Sequence, residues 1–205
     1  MGEMKKVSIT VLLPAGILPL ELMAAAHRLA SRYSLRVYLS TAQNLRLIDV
    51  PEDVAEGVKA ELTQLGAQLK GPGKFPIPRV CVGEGHCNLG LIDTEKLSRK
   101  ILARFSSRSH TKAKLKIAIA ACTLCCSGVK TSDIGIMATR EGFEVFAGGK
   151  GGPYPQVGRR IARKVDDDRV VELIGELIEF HDRKTEKKQR MYKLLDDTEF
   201  PFPEV

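Results

Sequence analysis

The chain contains no tryptophan and only 5% aromatic residues. Single-stranded nucleic acid is usually held by stacking bases on successive aromatic rings, so this scarcity argues against nucleic-acid binding. No apolar run approaches the roughly 20 residues that a membrane-spanning helix needs. No Ser-His-Asp set or pair of carboxylates stands out, which leaves hydrolase chemistry without support. Cysteine is sparse as well: there are five in 205 residues. That number is odd, and too small for a secreted scaffold held by disulfides. None of the five lies outside two short stretches, 81–87 and 122–126.

Those two stretches carry the chemistry. The first reads Cys81-Val-Gly-Glu-Gly-His-Cys87, spaced C-x5-C. The second reads Cys122-Thr-Leu-Cys125-Cys126, which offers C-x3-C through Cys122 and Cys126. Four thiolates drawn from two separated loops can hold one metal centre or one iron–sulfur cluster. Structural zinc favours pairs two to four residues apart, so the C-x5-C arm suits it poorly although C-x3-C is acceptable. Buried, inert cysteine is common singly but does not explain two tight groups. A redox dithiol or a disulfide between neighbours stays open. Three thiols of one short loop do not easily converge on one centre, so Cys125 is read as a bystander, and His86 as a loop residue.

A hydrophobic fraction of 43% and a charged fraction of 28% are ordinary for a globular protein and exclude a disordered chain. The net charge of +7 and pI near 9.2 favour an anionic partner. Arg99, Lys100, Arg104, Arg108, Lys112, Lys114 and Lys116 follow one another without an acidic residue between them. The stretch is either a solvated helix face and loop or a surface that attracts an acidic electron-donor protein or the carboxylates of a tetrapyrrole, with nucleic acid third. Lys5, Lys6 and the apolar run from Val7 imitate a signal peptide. Pro14, Gly16, Pro19 and Glu21 interrupt it, so the stretch is read as strand, turn and helix. Clustered thiols are expected to stay reduced in the cytoplasm.

The chain order predicts an α+β protein. A strand over Lys6 to Leu13, a helix from about Pro19 to Arg32 and strands over Leu35 to Ser40 and Asn44 to Asp49 come first. A helix from Pro51 to Leu65 and a closing strand within 67–78 complete a ferredoxin-like βαββαβ half-domain, residues 1–78. Residues 79–185 carry both cysteine stretches and are expected to form an α/β domain that binds the metal centre or cluster. In it, Asp93 caps a helix from Thr94 to about Phe105, and a strand over Lys114 to Ala121 delivers Cys122. A hairpin over Asp133 to Thr139 and Phe143 to Ala147 follows. The loop Gly148-Gly149-Lys150-Gly151-Gly152 could bring backbone N–H groups and one ammonium close to an anion, but it matches no nucleotide fingerprint and on its own reads as a flexible loop between hairpin and strand. A helix after Asp166-Asp167-Asp168 buries Val170, Leu173, Ile174, Leu177 and Ile178, and residues 186–205 are a charged tail.

Taken together, C-x5-C, the helix at Asp93-Thr94, the strand, C-x3-C, the Asp133-Ile-Gly-Ile strand and the Gly-Gly loop resemble the cluster-binding part of sirohaem-dependent nitrite and sulfite reductases. Leu13-Pro14-Ala15-Gly16 and Leu39-Ser-Thr-Ala-Gln43 resemble that family's ferredoxin-like half-domain. The resemblance implies that Cys81, Cys87, Cys122 and Cys126 ligate a 4Fe–4S cluster, with Cys126 also bridging to sirohaem iron. It places Gly148, Gly149 and Lys150 near the tetrapyrrole. The implied activity is that of an oxidoreductase passing electrons from cluster to sirohaem to a small oxyanion. Family enzymes carry two such repeats and this chain carries one, which implies a homodimer or a related partner subunit. Thr10, Leu12 and Ala42 stand where the family tends to place arginines, and Thr123-Leu124-Cys125 replaces the segment that carries its asparagine. The alternative is a cluster-only electron carrier or assembly subunit without catalysis of its own.

Overall fold

The computed structural model describes residues 5–111, 114–184 and 189–205. Lys112 of the basic stretch and residues 186–188 of the expected tail lie outside them. The chain divides into two compact units, Met1–Gly71 and Pro72–Val205, so the break falls ahead of the Pro78 boundary read from the sequence.

The first unit contains β1 (Lys6–Leu12), α1 (Leu20–Tyr33), β2 (Arg36–Leu39), β3 (Leu45–Pro51), α2 (Ala55–Gln64) and β4 (Gln68–Leu69). Its sheet runs β2-β3-β1-β4 with every pair antiparallel, the ferredoxin-like order. Period-2 alternation buries Ile9 and Val11 of β1 and Leu45 and Leu47 of β3. Leu22, Ala26 and Leu29 of α1 and Val58 and Leu62 of α2 complete this core. The helix expected from Pro51 begins later, because Pro51 is the last residue of β3 and pairs with Lys6. A proline without an N–H is harmless at such an end, and Glu52 N–H continues the pairing to Lys5 O at 3.0 Å. The Pro14-Ala15-Gly16 turn lies against the turn at Gln43: a Cβ on Gly16 would meet Gln43 Cβ at 3.3 Å. Asn44 Oδ1 accepts the Leu13 N–H at 3.2 Å.

The second unit contains β5 (Arg79–Val80), α3 (Thr94–Phe105), β6 (Ile117–Ala120), β7 (Ile134–Thr139), β8 (Gly142–Ala147), β9 (Arg159–Val165) and α4 (Asp167–Lys184). The sheet runs β5-β6-β7-β8-β9, parallel through β7 and antiparallel beyond it. Its two faces differ. Val80, Ile117, Ile119, Ile134, Ile136 and Val145 are buried on one face, where α3 packs on β5 and β6 and α4 packs on β8. The other face carries small groups, Ala118, Ala120 and Gly135, beside Met137 and Phe146. A short 3-10 turn at Val129–Thr131 packs on that second face.

Residues 189–205 are docked, not loose. A 3-10 turn at Met191–Leu194 buries Met191 and Leu194, and Leu195 and Phe202 are buried after it. Phe200 meets Phe180 of α4 and Phe202 edge-on, and Val205 N–H reaches Arg160 O at 3.0 Å. Among the described residues no helix is long and apolar enough to cross a membrane.

Candidate metal centre

The two cysteine stretches leave the carboxyl ends of neighbouring parallel strands. Cys81 follows β5 and its N–H continues the ladder to Ile119 O at 3.3 Å; Cys122 follows β6 after Ala121. Strand ends of this kind hold a side chain firmly while leaving it free to bind. The loops are tied to each other directly, since Leu91 N–H donates to Ala121 O at 2.9 Å and Ala121 N–H donates to Cys81 Sγ at 3.1 Å. An N–H donated to a ligating sulfur tunes the potential of any cluster that sulfur holds.

Each loop is compact for a definable reason. In the first, Gly83 adopts φ 74°, and its backbone passes so near Gly90 that a Cβ on Gly90 would stand 2.6 Å from Gly83 C. Only residues without side chains permit that crossing. Glu84 N–H donates to Ile92 O at 2.7 Å, the Thr94 hydroxyl to Cys81 O at 2.6 Å, and Asp93 caps α3 by accepting the Lys96 N–H. The second loop turns through Cys125 at φ 59° and Gly128 at φ 72°. Gly128 N–H donates to Cys125 O at 2.8 Å, and the Ser127 hydroxyl donates to Ile119 O at 2.7 Å.

All five cysteines are free; Cys87 and Cys126 are exposed, and Cys81, Cys122 and Cys125 are partly buried. Cys125 packs on Ala118, Ala120, Val129, Met137 and Phe146. Among the described residues no three Cys, His, Asp or Glu side chains stand close enough to hold a single metal ion. The donor set fits an iron–sulfur group by its chemistry: free thiols on two mutually bonded loops, one sulfur already receiving an amide N–H. Val82, Leu89, Leu91 and Leu124 are exposed within the same loops, giving the site an apolar rim.

The second loop is seated on the sheet through Gly135. A Cβ there would stand 2.3 Å from Val129 O and 2.6 Å from Val129 Cγ1. Gly135→Ala is expected to push the 3-10 turn and the attached cysteine loop away from β7, at a cost of about 1–3 kcal/mol. Thermal unfolding of this variant checks the cost, and its iron content reports the loop.

The first half of the glycine-rich loop is occupied by the protein itself, while Gly151 and Gly152 are exposed. Gly148 N–H donates to Asp133 O at 2.8 Å and Lys150 N–H to Gln156 O at 2.9 Å. A Cβ on Gly148 would meet Leu195 at 2.7 Å, and one on Gly149 would meet Lys130 O at 2.4 Å. Lys150 Nζ lies 4.2 Å from the centre of the Tyr192 ring. Gly148 and Gly149 allow close packing here, and the amides of Gly148 and Lys150 are bonded within the protein. The basic stretch is likewise partly neutralised: Arg99 pairs with Glu95, Lys100 with Asp167 and Asp168, and Arg108 with Asp182. Sequence reasoning missed Arg79, whose side chain reaches Gly128 of the second loop.

Residues 77–200 match the family model of the nitrite and sulphite reductase 4Fe-4S domain, and residues 2–65 match the nitrite/sulfite reductase ferredoxin-like half domain. The chain belongs to the nitrite and sulphite reductase family. An assimilatory-type sulfite reductase of Nitratidesulfovibrio vulgaris is 25% identical over 187 residues, covering 90% of this chain and 84% of that protein. The large subunit of an Escherichia coli nitrite reductase (NADH) is 24% identical over 91% of this chain, which spans only 22% of that subunit. Among solved structures, the Mycobacterium tuberculosis NirA protein superposes with a TM-score of 0.77 at 20% identity, over 91% of this chain and 37% of that one. Dissimilatory sulfite reductase I superposes with a TM-score of 0.76 at 13% identity, over 90% and 65%. These two share the nitrite/sulfite reductase fold with this chain.

Proposed function

We propose that the chain is an iron–sulfur redox protein that binds a 4Fe–4S cluster through Cys81, Cys87, Cys122 and Cys126. The observation that carries this reading is the direct bonding of the two cysteine loops, with Ala121 N–H donated to Cys81 Sγ. Thr94, by bonding Cys81 O, and Ser127, by bonding Ile119 O, hold the two loops in register. When bound, the cluster would supply one-electron chemistry and an adjoining sirohaem the site of oxyanion reduction. The apolar rim of Val82, Leu89, Leu91 and Leu124 beside exposed Cys126 suits the flat face of a macrocycle. We place the protein in the cytoplasm, as a homodimer or with a related subunit, and supplied by an acidic electron-donor protein.

The second reading is a cluster-only electron carrier or assembly subunit. It is favoured by Thr10, Leu12 and Ala42 at positions where the resemblance implies arginines, and by the close packing of Gly148 and Gly149. One preparation separates the readings. Protein purified without oxygen is expected to hold about four irons per chain with matching sulfide. Sharp tetrapyrrole bands over the broad cluster absorption would establish sirohaem, and their absence from iron-replete protein would favour the second reading. A colourless zinc protein would sink both.

A further inference from the structure

We propose that Arg79 is the countercharge of the cysteine site, a positioning residue that makes the cluster easier to reduce. This rests on the cluster reading above. Arg79 stands two residues before Cys81 along β5 and its continuation, so the two side chains leave the same face of the sheet. That face is the one with Ala118 and Ala120, their partners in the parallel register, whose small side chains leave room beside them. The guanidinium runs to the second loop: Nη2 lies 2.6 Å from where a Cβ on Gly128 would stand, and Cζ lies 3.6 Å from it. Gly128 in turn closes the loop by donating to Cys125 O. One cation therefore touches the frame of both cysteine stretches.

Its own bonding is incomplete. Arg79 Nε is buried and has no hydrogen-bond partner, and no carboxylate pairs with Arg79 among the described residues. Arg79 as a whole is partly buried, and a negative group near its guanidinium would offset the desolvation that the unpartnered Nε reports. A cluster with four thiolates is net negative, and it becomes more negative by one unit when an electron enters. No bond forms or breaks in that step, so the charge change is what the surroundings feel. A fixed guanidinium beside the loops stabilises the reduced state more than the oxidised one and raises the potential.

The test uses the anaerobically purified, cluster-loaded chain and its Arg79→Gln and Arg79→Lys variants, in reductive titrations followed by absorption and electron paramagnetic resonance. Arg79→Gln is expected to keep its iron while its reduction equilibrium falls about tenfold, a shift of about 59 mV to more negative potential for one electron. Arg79→Lys keeps the charge and is expected to titrate near the unmodified chain. Retained iron with unchanged potential in Arg79→Gln overturns the proposal. A shift in Arg79→Lys as large as that in Arg79→Gln also overturns it, because shape rather than charge would then be acting. Should Arg79→Gln fail to fold or to load, Arg79→Lys loaded at the original potential supports the assignment. Failure of Arg79→Lys to load overturns it. If the unmodified chain takes up no iron, the cluster reading itself has failed, and this proposal with it.

Discussion

Cys126→Ser is expected to lose its iron, falling from about four atoms per chain to almost none, while Cys125→Ser retains it. The two residues are adjacent, yet the loop sends them to different surroundings. Cys125 turns through φ 59° and packs against Ala118, Ala120, Val129, Met137 and Phe146. Cys126 is exposed, as is Cys87 of the other loop. A thiol committed to an apolar cluster behaves as a small hydrophobe, so Cys125 is placed for packing, whereas the exposed thiol of Cys126 is free to take the ligand role proposed above. Serine at 125 would put a hydroxyl among apolar groups, at a cost of about 1–3 kcal/mol if unpaired, without removing a ligand. Serine at 126 would remove one of four thiolates. Iron and sulfide per chain, read beside the absorption spectrum of each variant, decide the matter. Equal loss in both would mean that the ligand set is wrong.

Much of the fold is visible in the chain because the signals are local. The alternation in β1, the helical spacing of Leu22, Ala26 and Leu29, and the Asp93 cap need only neighbouring residues to be read. The elements missed are those whose pattern is carried elsewhere. β5 has two residues, Arg79 and Val80, and exists as a strand only because β6 pairs with it. In β9 the sequence Arg-Arg-Ile-Ala-Arg-Lys-Val hides the buried pair Ile161 and Ala162 among bases, and its pairing with β8 is interrupted by bulges. The cysteines were legible as a group, but what fixes their loops was not. Gly83 beside Gly90 and Gly135 beneath Val129 are contacts of the folded chain that no spacing announces. Arg79 escaped for the same reason, since one arginine before a cysteine makes no pattern. The Gly148 loop could not be read from spacing for a related reason: glycine permits an open, anion-binding backbone and a tightly packed one equally well, and only the neighbours decide.

Breaking the ion pair that fastens the C-terminal segment should show a large effect on stability. Asp133 is 1% exposed at its side chain, and Arg190 Nε donates to its Oδ1 at 2.7 Å while Lys116 N–H donates to Oδ2 at 3.0 Å. Arg190 also lies beside Gly149 O, so one guanidinium joins the docked segment to Asp133, just ahead of β7, and to the glycine loop. Burial pushes the Asp133 carboxyl above the ordinary carboxylate value, and Arg190 with the amides of Lys116 and Met191 pulls it partly back. Arg190→Ala leaves that carboxylate buried and uncompensated, with an expected loss of about 3–5 kcal/mol. Asp133→Asn is expected to cost less, because asparagine still accepts the Lys116 N–H and the partly exposed Arg190 can turn to water. The pH dependence has a definite sign. A carboxyl whose folded pKa is raised contributes stability that is full below its unfolded pKa and lost as pH rises through the folded one. The unmodified chain should therefore lose stability relative to Asp133→Asn across that interval on the way to neutral pH. Arg190→Ala should lose more, and over a wider interval, since the guanidinium that lowered the carboxyl is gone. Denaturant unfolding of the three proteins at acid and neutral pH measures both effects, and equal costs for the two substitutions at neutral pH would show that burial of the charge is not what makes the pair matter.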